Sequence, residues 1–359
     1  MIKTTFCERF GLDYPIIQAP MAGVSNPLFA AEVSKAGALA SMGCGAMSAD
    51  ALDKSISEFM ILAAEDKRPL VNINFFSHQE EVVDATANTA WLKELTPLFE
   101  GFGAQAPTQL EVIYQSLLTE DARVAVLLEK RPKIVSFHFG LPSESVLQKL
   151  KEAGIAIFAT ACHLDEAKQL ETAGVDYIIA QGYEAGGHRG IFDPSRDEAF
   201  STLELLEQIK THCTTPIIAA GGVMNGQDIR TMLGHGAEAV QLGTAFILCP
   251  ESSASAHYRA QLREHARNNS ETLVSAEISG RPARGLRTKL SELGAKLTQV
   301  EGLKRPAYPV LYDANKQLND AALKQGDDGY GAYWSGAGLA NIREMPVQEL
   351  VALLVKEAS

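Results

Sequence analysis

Residues 143–181 read SESVLQKLKEAGIAIFATACHLDEAKQLETAGVDYIIAQ, and they hold one structural unit twice over. An amphipathic stretch at 143–153 ends at Gly154 and an apolar run of strand length, 155–160, follows at once. A second amphipathic stretch at 164–173 then ends at Gly174 and gives way to the apolar run 175–181. Glycine just past a helix adopts the left-handed conformation that closes the last turn, so each half reads as helix, turn, strand. The punctuation Ala153-Gly154-Ile155 and Ala173-Gly174-Val175 occurs earlier as Ala36-Gly37-Ala38, which makes it an internal βα repeat.

Working outward, the strand candidates are 14–20, 38–42, 70–75, 134–139, 155–160, 175–181, 216–220 and 239–244, with further helices predicted at 26–36 and 226–235. Strands apolar on both faces belong to a parallel sheet covered by helices. Eight such units predict an α/β fold of the (β/α)8 TIM-barrel type rather than an open doubly wound sheet. The reading divides the chain into a barrel at 1–247, carrying a helical insert at about 77–133, and a helical and loop segment at 248–359. That segment includes helices at 252–267 and 347–356. Both additions are expected to roof the C-terminal mouth, where barrels bind ligands.

Composition narrows the function. With 46% hydrophobic and 21% charged residues, the 359-residue chain is an ordinary globular protein able to bury a large core. The 32 Lys and Arg against 44 Asp and Glu give a formal charge of −12, which repels phosphate backbones and anionic lipid and argues against nucleic-acid or membrane partners. The five cysteines, at 7, 44, 162, 213 and 249, are scattered and read as reduced thiols. With no apolar core behind a basic start, no signal peptide is expected, and the predicted location is the cytoplasm.

Polar and glycine residues gather at the strand ends. The first strand ends in Gln18-Ala19-Pro20-Met21-Ala22-Gly23, where small residues let a flat ring approach the backbone. Asn72 and Asn74 share one side of the third strand, and an amide suits a heterocycle edge or, equally, caps a loop. The seventh and eighth strands end in Ala220-Gly221-Gly222 and Gln241-Leu242-Gly243-Thr244, the two places where barrels cradle phosphate on backbone N–H groups. After the sixth strand, Gln181-Gly182-Tyr183-Glu184-Ala185-Gly186-Gly187-His188-Arg189-Gly190 places His188 on a glycine-shaped loop, a candidate acid, base or switchable charge. His138, in Phe137-His138-Phe139-Gly140, reads as either an active-site or a core histidine. The histidines and cysteines lack metal-ligand spacing, so no metal is expected, and neither G-x-G-x-x-G after a strand nor a Walker loop occurs.

The run Gln18–Val24, the Phe-His-Phe-Gly motif at 137–140, the glycine-histidine loop at 180–190 and Gly243-Thr244-Ala245-Phe246-Ile247-Leu248-Cys249-Pro250-Glu251-Ser252 together resemble nitronate monooxygenase, class I, over nearly the whole chain. The resemblance implies an FMN-binding TIM barrel, without metal, that oxidises alkyl nitronates such as propionate 3-nitronate with O2. The implied products are an aldehyde or semialdehyde with nitrite or nitrate, formed by way of an anionic flavosemiquinone. Carried over by position, it makes His188 catalytic with His138 as the second active-site histidine. It assigns FMN to Met21, Ala22, Gly23, Asn74, Gln181, Gly186, Gly187, Gly221, Gly222, Gln241, Leu242, Gly243 and Thr244. Substrate falls to Tyr114, Tyr258, Tyr308, Tyr312 and Lys316. The expected partners are a small nitronate and O2, with a homo-oligomer compatible. Because a nitronate is anionic, His188, His138 and Lys316 are expected to supply positive charge. Two departures, the proline-poor Gly103-Ala104-Gln105-Ala106-Pro107 and Asn315 in place of a common glycine, bear on substrate preference. The alternative within the same barrel is an NAD(P)H-dependent FMN reductase of quinones or enoyl thioesters. A flavin- or phosphate-binding sensor and a phosphosugar isomerase or aldolase are more distant rivals.

Overall fold

The computed structural model describes residues 3–66, 68–80 and 82–359. Its strands are β1 Ile16–Gln18, β2 Ala40–Gly43, β3 Val71–Phe76, β4 Ile134–His138, β5 Ala156–Ala161, β6 Tyr177–Gln181, β7 Gly187–His188, β8 Ile217–Ala220, β9 Ala239–Leu242, β10 Leu273–Ser275 and β11 Ala283–Gly285. Eight of them, in the order β1-β9-β8-β6-β5-β4-β3-β2, pair in parallel. The ends of this row meet, because the Leu39 N–H donates to the Ile16 carbonyl and the Gln18 N–H to the Leu39 carbonyl, both at 2.9 Å. The result is a TIM barrel, and its eight strands fall within or beside the eight apolar runs.

The strands are shorter than those runs where proline intervenes. The run at 14–20 yields only Ile16–Gln18, since Pro15 and Pro20 have no N–H to give a ladder. The glycine punctuation behaves as its sequence requires. Gly154 and Gly174 take φ of +76° and +70°, and the next residues, Ile155 and Val175, donate back to Leu150 and Leu170. Helix Glu144–Glu152 accordingly turns Val146, Leu147 and Leu150 onto the sheet.

The helix Thr5–Phe10 plugs the N-terminal end of the barrel, with the Phe6 ring 5.1 Å from Tyr177 and 6.0 Å from Phe158. At the other end, the insert helix Ala85–Gly101 and the tail helices Lys289–Leu297 and Val310–Lys324 share a second apolar core around Trp91, Leu95, Phe99, Leu290, Leu311 and Leu318. Phe139, at the end of β4, joins this roof to the barrel.

Two helices serve the wall instead of the mouth. Ala122–Lys130, inside the span read as insert, packs between Ala49–Leu62 and Glu144–Glu152 as the ordinary crossover from β3 to β4. Val347–Glu357 lies between Pro27–Lys35 and Gly226–Gly234, because Val347, Leu350, Val351 and Leu354 form an apolar stripe that needs a wall to bury against. The small sheet β7-β11-β10 ties the loop after β6 to the tail, with His188 opposite Ala283.

Candidate active site

The strand ends and the roof line a cavity. On its β8 and β9 side the chain turns sharply at Gly221 and Gly222, with φ of +123° and +70°. Among the described residues the N–H groups of Gly222 and Gly243 find no acceptor, and a Cβ at Gly243 would meet nothing closer than Ala19 Cβ at 3.6 Å. Gln241 Oε1 is buried without a partner. Asn74 donates through Nδ2 to the Ser136 hydroxyl at 2.9 Å, which leaves its Oδ1 as an acceptor toward the cavity. Unpaired N–H groups beside glycines suit an anion such as phosphate, and the small residues Ala19, Ala22 and Gly243 leave a flat space.

Across the cavity stands the glycine-histidine loop. Gln181 clasps it: Oε1 accepts from the Gly190 N–H at 2.7 Å and Nε2 donates to the His188 carbonyl at 3.0 Å. Arg189, fully buried, pairs with Asp197 at 2.9 Å and donates to the Gly182 carbonyl. Gly186 admits no side chain, since a Cβ there would lie 2.5 Å from the Gly336 nitrogen. These contacts fix where His188 points.

His188 Nε2 lies 2.8 Å from the Ser279 hydroxyl, which itself donates to the Arg281 carbonyl at 3.1 Å. With that hydroxyl proton committed, Ser279 accepts from Nε2–H, and Nδ1 keeps its lone pair with no partner among the described residues. His138 Nε2 donates to the His188 carbonyl at 3.2 Å, so its Nδ1 accepts from the Thr160 hydroxyl at 3.1 Å. Burial pushes His188 down to about 3, and His138, Arg281 and His78 add to the effect. Burial likewise pushes His138 down to about 4, against the pull of the His188 carbonyl. Both imidazoles are therefore neutral at pH 7, which corrects the expectation that they carry positive charge. Burial and the nearby Arg281 explain the difference.

The tyrosines enter from the roof. Tyr114 and Tyr312 line the cavity with rings stacked at 6.0 Å, and Lys316, exposed at the rim, holds Nζ 5.3 Å and 5.0 Å from those two rings. Trp334 Nε1 donates to the Tyr312 hydroxyl at 3.1 Å, and the Tyr258 hydroxyl donates to the Trp334 carbonyl. Burial raises the phenols of Tyr258, Tyr308 and Tyr312, so all three remain protonated donors.

Of the residues singled out in the sequence, Met21, Ala22, Asn74, His138, Gln181, Gly186, Gly187, His188, Gly221, Gly222, Gln241, Gly243, Thr244, Tyr114, Tyr258 and Tyr312 line this cavity. Four do not. Gly23 is an exposed turn residue at φ +77°, and Leu242 is buried in the wall, where its carbonyl accepts from Ala19. Tyr308 lies behind His188, with ring centroids 5.6 Å apart, and Lys316 stands outside the lining. Sequence reasoning missed Ser279, Trp334, Thr160 and Phe76. Thr160 and Phe76 end or adjoin recognisable strands, so their position was a usable signal, whereas Ser279 and Trp334 sit in aperiodic tail segments with no local mark.

Known proteins resemble this chain in sequence and fold. A family model described as nitronate monooxygenase matches residues 3–357. The nitronate monooxygenase of Paraburkholderia phytofirmans is 49% identical, covering 99% of this chain and 95% of that one, and the Pseudomonas aeruginosa enzyme of the same name is 43% identical over 98% of each. Among solved structures, a nitroalkane oxidase from Streptomyces ansochromogenes superposes with a TM-score of 0.83 at 33% identity, covering 97% of this chain and 96% of that one. FabK from Thermotoga maritima superposes at 0.72 with 25% identity, covering 100% and 96%. The chain belongs to the nitronate monooxygenase family, a group of oxidoreductases.

Proposed function

We propose that this chain binds FMN and uses O2 to oxidise alkyl nitronates, propionate 3-nitronate among them, to an aldehyde or semialdehyde with nitrite or nitrate. The observation that carries the reading is the opposition of two walls. One presents the unpaired N–H groups of Gly222 and Gly243, and the other presents His188 with an open Nδ1. FMN, when bound, supplies the redox chemistry between nitronate and O2.

The residues present fit that group. Gly221, Gly222, Gly243 and Thr244 would hold its phosphate. Asn74 Oδ1 and the orphaned Gln241 Oε1 would accept from ring N–H or ribityl hydroxyl groups. Met21, Ala22, Gly186 and Gly187 would line its flat faces. Tyr312 retains a hydroxyl proton for a nitronate oxygen, since Trp334 occupies only its lone pair. Lys316 is the cation at the rim and would attract an anionic substrate. The roof core keeps bulk water away.

A second reading concerns the neutral nitroalkane. An imidazole with an open Nδ1 on the cavity wall is placed to take a proton, and the Streptomyces relative is named a nitroalkane oxidase. Under it, His188 removes the α-proton before oxidation. Oxygen-electrode assays on propionate 3-nitronate, ethyl nitronate and nitroethane, with product analysis, test both readings. Nitronate-dependent O2 uptake with aldehyde and nitrite or nitrate is expected. An α-deuterium isotope effect on nitroethane would add the second, and no uptake with any nitronate would remove the first.

A further inference from the structure

We infer that Asp313 is a positioning residue for substrate: its buried carboxylate holds the segment 105–113, and with it Tyr114, across the mouth of the cavity. The inference rests on reading this cavity as the nitronate site.

After helix Ala85–Gly101 the chain closes a last turn, with the Ala104 N–H donating to the Phe99 carbonyl at 2.8 Å, and then crosses the roof without regular structure. Among the described residues the segment 105–113 makes a single hydrogen bond, from the Glu111 N–H to Asp313 Oδ2 at 2.8 Å. Beyond Tyr114 the fastening is dense. Arg123 donates to the carbonyls of Gln115 and Ser116 at 3.0 and 3.1 Å, the Ser116 hydroxyl donates to the His78 carbonyl at 2.6 Å, and the Leu117 N–H donates to the Phe76 carbonyl at 2.8 Å. Tyr114 thus lies between a side fastened by several hydrogen bonds and a side held by apolar packing of Ala106, Leu110 and Ile113 and by one carboxylate.

That carboxylate is placed to matter. Asp313 is 7% exposed, directly follows Tyr312, and also accepts from Gln317 Nε2 at 3.1 Å. A buried carboxylate taking a backbone N–H makes a stronger bond than a neutral acceptor does. Asp313 also stands three residues before Lys316 on one helix, a spacing that ordinarily favours an ion pair. None forms: the carboxylate faces Glu111, and the ammonium rests over Tyr114 and Tyr312, with Nζ 3.5 Å from the Tyr114 hydroxyl. The Asp313 contact therefore fastens the chain leading into Tyr114, whose ring packs against Phe76, Tyr308 and Tyr312, and leaves the rim cation free of its helix neighbour.

The test combines amide hydrogen exchange with steady-state kinetics on propionate 3-nitronate, using flavin-loaded Asp313→Ala, Asp313→Asn and Glu111→Pro. Asp313→Ala, which removes the acceptor, should speed exchange of the Glu111 amide by about tenfold or more while leaving Lys289–Leu297 unchanged, and Glu111→Pro, which removes the donor and that amide with it, is read by kinetics. KM should rise about tenfold with kcat within about twofold, as expected for lost binding and positioning. Asp313→Asn, whose amide oxygen still accepts from Glu111 but without charge, should fall between wild type and Asp313→Ala in both measurements. Unchanged exchange at Glu111 in Asp313→Ala, unchanged KM in both Asp313→Ala and Glu111→Pro, or Asp313→Asn failing as badly as Asp313→Ala would each overturn the inference. Were the wild-type chain inactive on every nitronate, the reading of the cavity would fail by itself, while exchange would still decide whether Asp313 holds the segment.

Discussion

The imidazole of His188 and the hydroxyl of Ser279 meet at 2.8 Å although 91 residues separate them in sequence. Ser279 belongs to the tail, and β7 and β11 pair His188 with Ala283 to bring the two segments together. The orientation of the central histidine therefore depends on the tail being in place. His188→Asn should lower turnover of nitroethane, whose α-proton a base must remove, by about 10²- to 10⁴-fold while the bound flavin is retained. Ser279→Ala should retain flavin as well and lose part of the same rate. A His188→Asn protein with full turnover would remove the histidine from the mechanism.

The neutral histidines make stability pH-dependent. In the folded chain His188 sits near 3, and His138 and His78 near 4, all by burial first, against about 6.5 when unfolded. Between pH 6.5 and about 4 the unfolded chain takes up protons that the folded chain refuses, so stability falls as pH falls through that window. It is insensitive to these groups above it. The slope is about 1.4 kcal/mol per pH unit for each such histidine. Thermal unfolding from pH 7.5 to 5 should show Tm dropping below pH 6.5, and a flat Tm would contradict neutral burial.

Gly243 separates cofactor binding from folding. A Cβ there meets no protein atom within 3.6 Å and its φ is ordinary, so Gly243→Ala should keep its Tm. The methyl group would project toward the proposed phosphate and lower FMN affinity by about tenfold or more. Flavin titration of apoprotein reads this directly, and unchanged affinity would move the phosphate elsewhere.

Lys316 should discriminate by substrate charge. Lys316→Met is expected to raise KM for propionate 3-nitronate by about tenfold, the loss of roughly 1.4 kcal/mol of carboxylate attraction. Ethyl nitronate, which lacks the carboxylate, should change less than threefold. Equal losses on both would assign Lys316 to the nitronate group itself.

The barrel was legible because its signal is local. Ala153-Gly154-Ile155 and Ala173-Gly174-Val175 state where helices stop and strands begin, and φ of +76° and +70° at the two glycines realises that statement. The strand-end residues of the site were legible for the same reason, since position on a barrel strand fixes which way a side chain points. Tertiary context decided the rest. Nothing near His188 announces that burial and Arg281 hold it neutral. The partners Ser279, Trp334 and Asp313 lie in roof segments whose register is set by packing. The helix Val347–Glu357 reads as any amphipathic helix would, and only the vacancy between its two neighbours places it in the wall.

The measurement that tests the account most directly is anaerobic mixing of the flavin-loaded protein with propionate 3-nitronate, following the visible flavin band, with NADH and NADPH in parallel. The account predicts rapid loss of the oxidised band with the nitronate and none with either nicotinamide on the same timescale. An oxidised band that survives the nitronate but bleaches with NADH or NADPH would contradict it and make the chain a reductase.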